Sequence, residues 1–125
     1  MAVQNVKELK AYQLSYDLAM EIFVLSKSFP TEEKFALISQ IRRSSRSVAM
    51  NLREAWAKRR YEAHFISKLT DCDGENGETE TSLDFAFDCG YINEKQHSDL
   101  IEMNNEVGRL LGAMLNNPEK WTLKS

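Results

Sequence analysis

The sequence has 125 residues, of which 42% are apolar and 28% are charged, and its formal net charge is −3. This length suits one domain, 1–125, with a core large enough to fold without disulfide or metal staples. A slightly acidic chain does not fit indiscriminate nucleic-acid binding, which strongly basic proteins show. Five glycines and two prolines are few, which favours long helices over many short strands.

The N-terminal segment 1–10 has no charged region followed by a long apolar run, so no signal peptide is predicted. No apolar stretch approaches the roughly 20 residues that a membrane-spanning helix needs. Cys72 and Cys89 lie in stretches of helical periodicity and are predicted to be small buried side chains rather than a disulfide. We therefore expect a cytoplasmic protein without membrane contact.

The first helix is predicted over 6–29, because Asn5 and Glu8 have capping-box spacing at its start and Pro30 ends it. Its apolar residues cover a wide arc, which predicts contact with more than one neighbour. The apolar surplus of the first and fourth helices also indicates that copies of the chain associate with one another.

The second helix is predicted over 32–57, with Thr31 as its cap. The third is predicted over 61–89, where apolar residues keep helical spacing up to Gly90. Propensity alone would break this helix at Gly74 and Gly77, since each interior glycine costs about 0.8–1 kcal/mol.

The fourth helix is predicted over 94–116, opened by Asn93 and Gln96 at capping-box spacing and ended by Pro118. Short loops join these four amphipathic segments, and no internal repeat interrupts them. Such a pattern is typical of an all-α, antiparallel up-down-up-down four-helix bundle.

Several stretches of the chain resemble one known bacterial family. They are Phe-Pro-Thr-Glu-Glu at 29–33, Gln-Ile-Arg-Arg-Ser-Ser-Arg-Ser-Val at 40–48, Asn-Leu-Arg-Glu at 51–54, Phe-Ile-Ser-Lys-Leu at 65–69 and Gly-Tyr-Ile at 90–92. The chain is similar, over nearly its whole length, to the four-helix bundle proteins named from members encoded in intervening sequences of 23S ribosomal RNA genes.

The resemblance implies a closed bundle that assembles as a ring, with a homopentamer as the expected form. It also implies kinship to accessory proteins of diversity-generating retroelements, which associate with a reverse transcriptase and nucleic acid. No catalytic residue belongs to the family pattern, and most members have no established role. The resemblance further implies that the third helix runs straight through Gly74 and Gly77.

A basic stripe on the second helix is the sharpest functional candidate. At 100° per residue, the four arginines of this stripe fall within about 40° of one another: Arg42, Arg46, Arg53 and Arg60. Arginine binds phosphate through two parallel hydrogen bonds, so such a line suits a nucleic-acid backbone. The candidate nucleic-acid contacts are Arg42, Arg43, Arg46, Arg53, Lys58, Arg59 and Arg60.

The alternative is that these arginines meet the acids of the third helix. Three carboxylates there project within about 60° of one another and border the apolar face, where half-buried acids need partners. The predicted structural ion-pair network consists of Arg42, Arg46, Asp71, Glu75 and Glu78. Pairing within the bundle, pairing across subunits and contact with nucleic acid all stay open.

Metal sites and catalysis find little support. The acidic run from Asp71 fails the calcium-loop register, because its sixth position is Asn76 and its twelfth is Ser82. A di-iron bundle needs paired Glu-x-x-His motifs, and this spacing occurs once, at Glu94 and His97. We predict no catalytic, cofactor or metal residue.

The predicted function is therefore a non-enzymatic, homo-oligomeric scaffold or interaction protein. The alternative is an RNA- or DNA-binding accessory protein that uses the basic face of the second helix, and a metal-binding bundle is the third option. A further protein partner is compatible with either of the first two.

Overall fold

The structure is a computed structural model that describes residues 3–123, and these form the predicted antiparallel four-helix bundle. Its helices are α1 (Lys10–Ser26), α2 (Leu37–Ala57), α3 (Glu62–Asp88) and α4 (Glu94–Asn116). Each helix packs on the next along the chain, and α4 packs back on α1. None of the helices in 3–123 is both long and apolar enough to cross a membrane.

The start of α1 lies later than predicted, and its end lies earlier. Asn5 caps a short 3-10 turn, Val6–Glu8, rather than α1 itself. At the other end, α1 stops at Ser26 instead of continuing to residue 29. Pro30 explains part of this shortening, because proline disfavours helical backbone in the residue before it.

The start of α2 also differs from the prediction of residue 32. Thr31–Glu33 forms a 3-10 turn, and Thr31 makes no capping hydrogen bond. The side chain of Glu33 instead accepts a hydrogen bond from the backbone N–H of Leu37 at 3.3 Å. This contact satisfies one of the free donors at the start of the helix, so α2 begins at Leu37.

The helix α3 is continuous through Gly74 and Gly77, as the family resemblance implied. Its buried face includes Leu69 and Leu83, both fully buried, on either side of the glycines. Burying each such side chain contributes about 1.5–3 kcal/mol, which exceeds the cost of about 1 kcal/mol per glycine. Packing therefore decides the conformation that local propensity leaves in doubt.

The connection from α3 to α4 follows its sequence signals closely. Gly90 adopts a φ of +78°, and the N–H of Tyr91 donates to the carbonyl of Ala86 at 2.9 Å. This is the Schellman arrangement in which glycine ends a helix. The predicted capping box of Asn93 and Gln96 is confirmed, with both of its hydrogen bonds present.

The core runs the length of the bundle, and a few polar side chains interrupt it. The Ser44 and Thr79 hydroxyls lie 2.9 Å apart between α2 and α3. Between α3 and α4, the side-chain amide of Asn76 donates to the carbonyl of Asn104, and that of Asn104 donates to the carbonyl of Asn76. The largest fully buried apolar side chains are Val6, Ile22, Ile41, Leu52, Phe65, Leu69, Leu83, Val107 and Leu111.

Candidate functional site

The arginine stripe of α2 lies on the side of that helix that faces α1. The Arg42 guanidinium sits 4.8 Å from the ring centroid of Phe23, and that of Arg46 sits 5.5 Å from it. The Nε of Arg42 also donates to the Ser26 hydroxyl at 2.8 Å. These two arginines therefore contact α1 through an aromatic ring. The predicted pairing of Arg42 and Arg46 with the acids of α3 is not found within the chain.

A groove runs between α1 and α2 beside these arginines, with a volume of about 480 Å³. Its apolar walls are open to solvent: Tyr16 is 52% exposed, Met20 is 47% exposed and Met50 is 67% exposed. Val24, 62% exposed, extends the apolar strip along α1. We call this surface the α1/α2 groove; it is lined by Tyr12, Tyr16, Met20, Arg46, Met50 and Arg53 among others.

The sequence predicted an apolar surplus on α1 and α4, but it missed the contribution of α2 to this groove, and no residue of α4 lines it. Met50 stands between Arg46 and Arg53, so the pattern of α2 at this point is basic and apolar at once. That spacing places all three side chains on one face of the helix. The signal for this mixed surface in the sequence is Met50, which lies at helical spacing from Arg46 and Arg53 and makes the face apolar as well as basic.

The acids of α3 do form an ion-pair network, but with a different arginine. Arg43 donates to Glu75 at 2.7 Å and to Glu78 at 2.8 Å. Burial opposes the charge on Glu75, yet the neighbouring Glu78 and the guanidinium of Arg43 hold its pKa below the ordinary value. The neighbouring Glu75 raises the pKa of Glu78. Arg43 replaces the predicted Arg42 and Arg46 in this network.

The third predicted acid, Asp71, takes part in a separate cluster. The ammonium of Lys68 lies 2.7 Å from a carboxylate oxygen of Glu54 and 3.6 Å from one of Asp71. Both contacts are on the surface, where such pairs contribute little to stability. The α2–α3 side of the bundle therefore carries two neighbouring ion-pair clusters that pair its charges within one chain.

The carboxyl-terminal end of α2 is basic and mostly open to solvent. Arg53, Lys58 and Arg60 are exposed, and within residues 3–123 none of them has a carboxylate within 4 Å. Arg59 differs, because its guanidinium lies 3.6 Å from the ring centroid of Trp56 and its Nε donates to the Trp56 carbonyl at 2.9 Å. Three cations of this end are thus available to a partner.

The single Glu-x-x-His motif has a structural setting of its own. The Nε2 of His97 lies 2.8 Å from Asp84, and its ring stacks on Phe87 with the centroids 4.5 Å apart. Over residues 3–123, no three metal-ligating side chains come together. His97 joins the start of α4 to the end of α3.

The two cysteines differ in their surroundings. Cys72 is buried in the core, and burial raises the pKa of its thiol to about 12. Cys89 is exposed at the end of α3, so the prediction that both would be buried is wrong for Cys89. The periodicity that placed Cys89 inward holds only while the helix continues, and α3 ends at Asp88.

Comparison with known proteins identifies the chain. The family model described as 23S rRNA-intervening sequence protein matches residues 7–113. The chain belongs to this family. Its fold is similar to a crystal structure of a protein of unknown function from the S23 ribosomal protein family of Bacteroides thetaiotaomicron. That likeness has 31% identity and a TM-score of 0.77, over 85% of this chain and 95% of the other. No curated protein matches the chain.

Membership of the 23S rRNA-intervening sequence protein family specifies the bundle and leaves its role open. The Bacteroides protein is itself described as having unknown function, so the likeness carries fold and not activity. Trp121 lies beyond the family match, yet it packs on the core cluster that contains Trp56 and Phe65. Trp121 is thus packed against this member's bundle.

Proposed function

We propose that the protein is a non-enzymatic scaffold that works as a homo-oligomer and joins its copies through the α1/α2 groove. One observation carries this proposal. Tyr16, Met20, Val24 and Met50, all large and apolar, stand 47–67% exposed on one side of the bundle. Contiguous apolar surface of this kind marks an interaction site in a folded protein.

A closed ring is the assembly that fits a small bundle of this kind, and the family resemblance implies five copies. Light scattering or native mass spectrometry at micromolar concentration gives the copy number directly. We expect Met20→Asp with Met50→Asp to yield a folded monomer, because two buried carboxylates oppose association. A monomeric wild-type protein at this concentration would contradict the proposal.

A matched control separates the groove from exposed apolar residues in general. Phe35 is 89% exposed and Tyr61 is 60% exposed, and neither lines the groove. Phe35→Asp with Tyr61→Asp makes the same chemical change elsewhere on the surface. We expect this control to assemble like the wild-type protein, so equal disruption by both pairs would remove the groove from the interface.

The free cations at the end of α2 favour a second candidate function, contact with RNA or DNA. Arg53, Lys58 and Arg60 are exposed and unpaired within residues 3–123, as a phosphate-binding surface requires. Arg53 lines the groove, whereas Lys58 and Arg60 lie outside its lining, so an assembled ring repeats these two cations in every copy. Repetition strengthens weak phosphate contacts through multivalency.

Titration of labelled RNA at several salt concentrations tests this second function. Phosphate contacts give a log–log slope of about −0.7 per contact on single strands. We expect Lys58→Glu with Arg60→Glu to weaken binding and flatten that slope. Lys27→Glu with Lys34→Glu makes an equal charge change on exposed residues away from this patch, and it should leave both unchanged. No detectable binding at low salt would rule the function out.

A further inference from the structure

The α1/α2 groove is apolar and positively charged, and this combination restricts what covers it. Arg46 and Arg53 line it, both exposed and without a carboxylate within 4 Å among residues 3–123. Glu54, the acid of its lining, is already bonded to Lys68 at 2.7 Å. A partner that matches this groove therefore carries acidic groups and packs closely against the apolar walls.

A second groove does not provide that match. A two-fold contact places the same surface patch of both copies together. Arg46 and Arg53 of one copy then share an interface with the same arginines of the other, and like charges oppose association. The groove is better covered by a different surface of a second copy, which makes the contact heterologous.

The outward side of α3 has the required character. Asp71, Gly74, Glu78, Thr81 and Phe85 follow one another at intervals of three and four residues, so they share one face of the helix. All of them are exposed, and Phe85 is 59% exposed. Gly74 has no side chain, and a Cβ added there meets nothing within 4 Å, so the backbone of α3 is uncovered at this point. We call these residues the α3 outer face.

The spacing of the charges agrees on the two surfaces. Arg46 and Arg53 are seven residues apart on α2, which corresponds to about 10 Å along a helix. Asp71 and Glu78 are also seven residues apart on α3. One docking position therefore brings both pairs of opposite charges together at once.

The heights along the bundle agree as well. Within one chain, Arg43 contacts Glu78, so Glu78 lies at the height of the α2 segment next to Arg46. Lys68 links Glu54 to Asp71, so Asp71 lies at the height of the α2 segment next to Arg53. A second copy rotated about an axis parallel to the bundle, without a shift along it, presents its acids at those same levels. A heterologous contact without such a shift generates a closed ring when the rotation between copies divides the full circle evenly.

We propose that the α1/α2 groove of each copy holds the α3 outer face of the next, with Arg46 opposite Glu78 and Arg53 opposite Asp71. This contact rests on the homo-oligomer proposed above and specifies its geometry. The side chains of Glu78 and Asp71 are 54% and 53% exposed, so each carboxylate has room for a second donor. Since Glu75 and Glu78 share one guanidinium, that of Arg43, an arginine from the next copy balances their charge.

Charge reversal on each surface tests the contact. The groove variant is Arg46→Glu with Arg53→Glu, and the face variant is Asp71→Arg with Glu78→Arg. Each variant alone brings like charges together, so we expect both to be monomeric in light scattering at a concentration where the wild-type protein assembles. When the two variants are mixed, every contact between a groove variant and a face variant joins opposite charges, so we expect species that contain both variants. A ring with an odd number of copies keeps one like-charged contact, so open oligomers or even-numbered rings are expected from the mixture.

Two further variants guard the interpretation. All four substitutions in one chain restore complementarity, so this chain is expected to assemble alone. Glu102→Arg with Glu119→Arg makes the same charge change as the face variant on exposed residues outside α3, and it should assemble like the wild type. Circular dichroism checks folding, and Asp71→Asn with Glu78→Gln serves as a weaker face variant if an arginine beside Arg43 impairs it.

The outcomes distinguish this contact from the homo-oligomer itself. If the wild-type protein assembles and the face variant assembles equally well, the α3 outer face is not the partner surface, although the scaffold proposal stands. Two monomeric variants that form no mixed species, or a folded chain with all four substitutions that stays monomeric, also overturn the contact. A wild-type protein that is monomeric throughout contradicts the proposed function and, with it, the contact.

Discussion

The two sides of α2 carry the same kind of charged residue and use it differently. On the side that faces α3, Arg43 is bonded to Glu75 and Glu78 within the chain. On the side that faces α1, Arg46 and Arg53 lie beside an apolar groove without a carboxylate within 4 Å in the described chain. The paired side completes one bundle, whereas the unpaired side offers a surface to another molecule.

The largest expected effect separates the inward and outward positions of α2. Leu52 is 1% exposed, so Leu52→Ala should lower the free energy of unfolding by about 2–5 kcal/mol through lost burial and a cavity. Met50→Ala, at an exposed position, should change it by less than about 0.5 kcal/mol. Guanidinium unfolding in the Arg46→Glu, Arg53→Glu background excludes effects of association. Equal costs at the two positions would contradict the assigned orientation of α2.

A smaller effect is expected beneath the ion pairs of the α2–α3 side. Ser44→Ala or Thr79→Val alone should cost about 0.5–1.5 kcal/mol, because each removes the hydrogen bond between two buried hydroxyls. The remaining hydroxyl keeps a backbone carbonyl as acceptor, that of Ile41 for Ser44 and that of Glu75 for Thr79. The double variant should cost less than the sum of the two. A double-mutant cycle by chemical unfolding measures this coupling, and strictly additive costs would show that the two hydroxyls do not interact.

The outward side of α3 gives an effect of opposite sign. Gly74→Ala meets no neighbouring atom within 4 Å, so it should raise the stability of a non-assembling variant by about 0.8–1 kcal/mol through helix propensity. In the wild-type background the added methyl lies in the proposed contact, and we expect weaker assembly. Chemical unfolding of the non-assembling variant and light scattering of the wild-type background, each with and without Gly74→Ala, measure these two effects. Unchanged assembly with higher stability would place Gly74 outside the contact.

The smallest effect is expected for the exposed ion pairs. Arg43→Gln should cost about 0.2–1 kcal/mol at neutral pH, the range of surface salt bridges. The pKa of Glu75 lies below its ordinary value of 4.5, so its share of the stabilisation is complete above pH 4.5 and declines as pH falls through the lowered pKa. Unfolding curves of wild type and variant should therefore converge in acid. A difference that grows below pH 4.5 would contradict this.

Local signals in the sequence predicted the ends of some helices but not the continuity of α3. Asn93 and Gln96 form the predicted capping box, because that motif depends on neighbouring residues alone. Gly74 and Gly77 are the opposite case. The helix continues through them because Leu69 and Leu83 make contacts with other helices. Propensity contains no information about those distant contacts; the family resemblance supplied it.

Within one chain, Arg43 makes the ion pairs that the prediction gave to Arg42 and Arg46, and this difference has a geometric cause. Periodicity shows which face of α2 is buried in the core, but it does not show which edge of that face lies next to α1 and which lies next to α3. Arg42 and Arg43 therefore border the core from opposite directions, and the sequence alone left their partners interchangeable. The bundle resolves the ambiguity by placing Arg42 against Phe23 and Arg43 against Glu75.

The crossed amides of Asn76 and Asn104 have a consequence for how tightly α3 and α4 are aligned. A slide of α4 by one helical turn, about 5.4 Å, would separate both amide–carbonyl pairs at once and bury them unpaired. A Cβ at Gly108 would lie 3.2 Å from the Asn76 amide nitrogen, so the facing helix leaves little room for an alternative fit. The pair acts as an alignment key: with leucine at both positions, we expect a bundle that resists denaturant better yet tolerates more than one relative position of these helices.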